Sequence, residues 1–240
     1  MKILMARQAI LFGFALAATA HATNAAGKFP VPDGCTAYVT VQHSNCNVSQ
    51  HYTCSKDAKG DQWAVYEGVD GPYYMSRIDA QTRWMESVDL ISGDVDQLDR
   101  ETDPASVTTL LSTGRDDYDF TTLSDKGEVR RYVGYDKLTG ETVNIDGITL
   151  ARTVFDMSAY DESGAFLHRR KGRQFVSSKW RIFFSDQEDF ENAYGDKQST
   201  NDTPMTFAQP GEPGFLESMP QFGCDMMMTD ANTQTKGPHS

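Results

Sequence analysis

Beyond its first two dozen residues the chain lacks any long apolar run, so nothing after that point reads as a membrane-spanning helix, which takes about 20 apolar residues. It lacks the GxSxG, SxxK and HExxH patterns of serine and zinc hydrolases. It also lacks the GxGxxG and GxxxxGK loops that cradle phosphates. No CxxC pair occurs among its four cysteines. Positive charge is scarce: 22 Lys and Arg face 34 Asp and Glu, for a net charge of -12. Such a field repels nucleic acid and anionic membrane, so no nucleic-acid partner is expected. Helical periodicity is sparse as well.

What is present begins at the N-terminus. MKILMARQAILFGFALAATAHA has Lys2 and Arg7 ahead of an apolar run from Ala9 to Ala20, then the small-x-small site Ala20-His21-Ala22. This order describes a secretory signal peptide over 1–22, cleaved near Ala22. It predicts a periplasmic or secreted protein with no transmembrane segment in the mature chain. Losing Lys2 and Arg7 removes two positive charges and no negative ones, so the net charge moves from -12 to about -14.

The stretch CTAYVTVQHSNCNVSQHYTC holds Cys35, Cys46 and Cys54 with His43 and His51 between them. Zinc ligands come in tight pairs two to four residues apart, and these spacings are wider. An even count in an exported chain favours disulfides instead, with no metal and no other cofactor expected. Three pairings are possible. The expectation adopted is Cys46 with Cys54 across a local hairpin, and Cys35 with Cys224 tying back the C-terminal segment.

Between the cysteines the pattern is alternation broken by turns. Asp-, Ser- and Lys-rich turns carrying Gly127, Gly140, Gly147 and Gly164 separate strand-like runs. Glycine accepts the positive φ that tight antiparallel connections need. The reading is one all-β domain over 23–195, mainly an antiparallel meander, curled into a barrel or half-barrel, with a β-sandwich as the alternative. QFVSSKWRIFFS reads as the last long strand. Ser92–Ser106 reads as an acidic loop, and VTTLLS as a helical turn or a strand. Ser185 with Glu188 has capping-box spacing, which predicts a short helix near 186–194. Residues 196–240 read as an extended polar tail. In architecture alone, this exported meander resembles lipocalin-type barrels and the half-barrel carriers of lipoproteins. That resemblance implies a cavity for an apolar ligand.

Three functions follow as expectations. The first is a non-enzymatic carrier of an apolar or lipid-like small molecule, with Trp63, Tyr74, Trp84, Tyr132, Phe155, Trp180, Ile182 and Phe184 facing inward. The second is an envelope interaction protein working through acidic loops and the basic arm His168, Arg169, Arg170, Lys171 and Arg173, whose guanidinium groups suit anions. The third is a hydrolase with an unrecognised serine–histidine site. Met226–Met228 follow Cys224 and read as packing residues. Asp94 and Asp96 begin a calcium-loop spacing that Leu98 breaks.

Overall fold

Asp146 and Gly147 both adopt positive φ, 48° and 79°, as the two-residue turn between right-twisted strands requires. The strands they join are β8 (Val129–Ile145) and β9 (Ile148–Asp161). The same plan of short turns builds the rest. In a computed structural model, which describes residues 27–225, the chain forms thirteen strands and one helix. Residues 1–22, read as a signal peptide, and Met226–Met228 and His239 lie outside the described residues.

β1 (Cys35–His43), β2 (Asn47–Cys54), β3 (Gln62–Gly68), β4 (Gly71–Ile78), β5 (Trp84–Asp89) and β6 (Val95–Asp103) follow one another. After helix α1 (Val107–Thr113) come β7 (Arg115–Ser124), then β8 and β9. β10 (Phe166–Ser177), β11 (Ile182–Asn192) and β12 (Lys197–Asn201) complete the run. Each strand is antiparallel to the next, in a single sheet, and β13 (Pro204–Ala208) pairs with β1. The hydrogen-bonded ladder is not closed: β12 and β13 are its two edges. Only Asp202 and Thr203 separate them, so the sheet curls until its edges meet. There the Asp202 amide donates to the Asp186 carbonyl at 2.7 Å and the Ser44 amide to the Thr203 carbonyl at 2.9 Å.

Several expectations change. The helix expected near 186–194 is instead the body of β11. A capping-box spacing is a local signal, and here partners on neighbouring elements override it: Asp186 is buried against Arg152 and Thr203, and Glu188 pairs with Arg170. The acidic stretch read as a loop contributes β6. Its carboxylates meet cations from elsewhere in the sheet, Asp96 with Arg130 of β8 at 3.0 Å and Glu101 with Arg83 of the β4–β5 turn at 2.9 Å. QFVSSKWRIFFS is two strands and a turn, with Arg181 at φ 55° and its amide bonded to the Ser177 carbonyl. Gly140 does not end a strand. It sits in an irregularity between Leu138 and Thr142, inside the 17-residue β8. VTTLLS is the helix α1, capped by the Ser106 hydroxyl and closed by Gly114 at φ 87°.

The segment read as a tail supplies β12 and β13, then a strap that lies over the outer face of β1–β3. Gln42 and Gln50 amides donate to the carbonyls of Met219 and Glu217, and the Leu216 amide donates to the Thr40 hydroxyl. β2 is buried on both faces in consequence. The disulfide pairing differs from the expectation: the bonds are Cys35–Cys54 and Cys46–Cys224. β1 and β2 make a hairpin whose turn holds Cys46, while Cys35 and Cys54 are register partners at its open end. Cys46 and Cys54 therefore sit at opposite ends of β2, roughly 25 Å apart at about 3.3 Å per residue, and cannot bond. Cys224 is tied back as expected, but to the turn.

Candidate functional site

Strand alternation places Asp116, Tyr118, Phe120 and Thr122 of β7 on one face, with Tyr132 and Asp136 of β8 beside them. Met157 of β9, then His168, Arg170 and Gln174 of β10, continue that surface. These rows enclose a cavity of about 650 Å³ reached by residues of β2–β11 and by Val107 and Leu110 of α1. Two inward positions carry no side chain. Gly134 lies between Tyr132 and Asp136, and a Cβ there would come within 2.4 Å of the Asp156 carbonyl. Gly172 lies between Arg170 and Gln174, and its Cβ would meet the Gln187 carbonyl at 2.0 Å. Glycine thus allows neighbouring strands to approach and the sheet to coil where the cavity lies.

Six of the eight residues read as inward line this space: Trp63, Tyr74, Trp84, Tyr132, Phe155 and Ile182. Trp180 and Phe184 do not. They pack with Phe207 at ring distances of 5.9 and 5.2 Å, in a core cluster with Val39, Val41, Leu150 and Phe175. One cavity wall is aromatic. Trp84 stands edge-on to Phe120 at 5.6 Å and to Tyr132 at 5.5 Å, and Phe120 stacks on Tyr132 at 5.3 Å. Trp84 remains 43% exposed, with surface left for a further contact.

The lining is mixed rather than purely apolar. Arg77 pairs with Asp61 at 2.7 Å and Glu86 at 3.3 Å, Arg83 with Asp79 and Glu101, and Arg170 with Glu188 at 2.7 Å. Asp116 and Asp136 are register partners across β7 and β8. Asp116 accepts from the Ser106 amide at 2.7 Å, and Asp136 from the Gln174 side-chain amide at 2.6 Å. Neither forms an ion pair among the described residues. Burial pushes both carboxyls up; at Asp136 the Gln174 bond opposes burial and the Asp116 charge adds to it, while at Asp116 the Ser106 amide opposes it and Asp103 and Asp117 add to it. Asp136 reaches about 7. Burial and the nearby carboxylates also push the Tyr118 hydroxyl up.

Alternation divides the basic arm. His168 and Arg170 line the cavity, the His168 ring lying 5.5 Å from Phe190 and 6.3 Å from Tyr132. Burial, Arg170 and Arg130 push the His168 imidazole pKa down. Arg169 pairs with Asp156 and Arg173 with Asp186, while Lys171 is exposed and forms no ion pair among the described residues. The arm is therefore two faces of one strand, not one basic surface.

A second polar group lies deeper. The Ser49 hydroxyl sits 2.9 Å from Nε2 of both His43 and His51, and His43 Nδ1 is 3.3 Å from the Asp202 carbonyl oxygen and 3.9 Å from its carboxylate. Burial pushes both imidazoles down, His51 to about 3, so both are neutral at pH 7. The residue types are those of a nucleophilic triad. Ser49 is nevertheless wholly buried, and only His51 of the three reaches the cavity. The group ties the β1–β2 hairpin to Asp202.

Sequence reasoning passed over Asp116, Asp136, Arg77 and Arg83. For the two aspartates the signal was the alternation in DDYDF and in YVGYD, which puts one carboxylate of each stretch on the aromatic face. No group of three or more His, Cys, Asp or Glu placed to hold a metal ion occurs among the described residues. No described helix is long and apolar enough to cross a membrane. No family model, curated protein or solved structure matches the chain.

Proposed function

We propose that the chain is an exported binding module that holds a small organic molecule inside its curled sheet, in the manner of a half-barrel carrier. The observation behind this is the cavity: about 650 Å³, walled by Trp84, Phe120 and Tyr132 and set with a few buried polar groups. Ligand sites have this size and set polar groups among apolar and aromatic walls. The lining favours an amphiphilic ligand over a purely apolar one, because charged side chains from at least five strands reach the same space. Export is supported by the two disulfides, which persist in oxidising compartments, and by the leader-like residues 1–22.

Native mass spectrometry of the protein purified from its own source tests the reading, alongside the Trp84→Ala variant. A co-purified small molecule, lost or depleted in the variant, is the expected result. Wild-type protein that consistently carries none and binds no aromatic or aliphatic probe refutes it.

A further inference from the structure

We propose that the molecule taken by this cavity is an organic cation, an amine or guanidinium held between Asp116 and Asp136 with its apolar body along Tyr118, Phe120 and Trp84. The proposal rests on the cavity being a binding site and assigns the charge of its ligand.

Each lining arginine already has its carboxylate: Arg77 has Glu86, Arg83 has Glu101, and Arg170 has Glu188. Asp96 is matched by Arg130. Asp116 and Asp136 are left over, opposite one another on adjacent strands, with only neutral amides as partners. Like charges directly opposite across a ladder destabilise it, and a buried carboxylate without a counter-ion is costly. A cation between them removes both penalties at once, whereas an anion adds to them.

Two further observations point the same way. The rings of Tyr118, Phe120 and Trp84 offer faces that attract cations. Finally, the chain's net charge of -12 draws cations toward it. A bare metal ion is a poorer fit, because it needs six or more oxygen ligands and two carboxylates with two amide donors do not supply them.

The test is isothermal titration of the full chain with three probes of one shape: 4-phenylbutylamine, 4-phenylbutanol and 4-phenylbutyrate, near neutral pH and at physiological salt. The amine is expected to bind about tenfold or more tighter than the alcohol, as a charge-assisted hydrogen bond implies, and the carboxylate weakest. Asp136→Asn and Asp116→Asn should each abolish the preference for the amine over the alcohol. Amine binding should also release a proton near pH 7, seen as a heat that varies with the buffer's ionisation enthalpy. If amine and alcohol bind alike, or Asp136→Asn keeps the preference, the cation assignment falls while the binding-site reading stands. If none of the three binds, the assignment falls too, and the co-purification experiment decides the cavity reading separately.

Discussion

Replacing Asp136 by Asn removes a charge but keeps an oxygen for the Gln174 amide. Burial lifts the carboxyl from 3.8 to about 7 in the folded chain, while in the unfolded chain it returns to its ordinary value. A pKa raised by folding means that the unfolded chain ionises first as pH rises. Stability is then intact below pH 4, is lost progressively between about pH 4 and 7, and stays low above that. At about 1.4 kcal/mol per pH unit the full loss is about 4 kcal/mol, and solvent in the cavity screens it to about 2–3 kcal/mol. Asp136→Asn should therefore be more stable than wild type by that amount at pH 8 and nearly equal to it at pH 4. His51 works in the opposite sense. Its pKa is lowered to about 3, so acid below about pH 6.5 favours the unfolded chain. For that reason the comparison is variant against wild type at each pH, by urea unfolding with the same slope assumed for both. A variant no more stable than wild type at pH 8, or a difference that does not change with pH, would refute the reasoning.

The remaining predictions concern the scaffold. Cys46→Ser with Cys224→Ser opens a link between residues 178 apart and should cost about 5 kcal/mol in the chain-entropy account, against about 3 kcal/mol for the 19-residue Cys35–Cys54 link. Unfolding midpoints of the two double variants give the order, and equal losses would contradict it. Gly172→Ala drives a Cβ to within 2.0 Å of the Gln187 carbonyl, so β10 and β11 must separate. Its thermal midpoint should fall by several degrees, more than that of Gly164→Ala in the exposed β9–β10 turn, where φ is positive but nothing stands near the added carbon.

The meander was legible because its turns are written locally. Asp146-Gly147 announces a hairpin, and the structure turns there. The failures share a cause. Whether Ser185–Tyr194 becomes a helix or a strand depends on Arg152 and Arg170, which lie far away in the chain. The acidic β6 likewise needs Arg83 and Arg130 before it can be a strand. For the site, alternation was enough to put Tyr132 and Phe155 inside. It could not show that Trp180 belongs to a turn, so its ring went to the Phe207 cluster instead. Asp116 and Asp136 were hidden by composition: in a chain with 34 acidic residues, two that face inward look like the rest until register sets them opposite each other.

The join at Asp202 and Thr203 also orders events in time. A chain made from its N-terminus completes β1 and β2 early, yet the partner for the outer edge of β1 is β13, some 160 residues later. Throughout that interval the first strand presents open backbone donors and acceptors, and Cys46 is a thiol whose proper partner does not yet exist. The register of the first hairpin limits the hazard. It brings Cys35 and Cys54 together at once, so the two cysteines that could wrongly capture Cys46 are consumed by each other. β13 and Cys224 then supply the two missing partners, one for the open edge of β1 and one for the single remaining thiol.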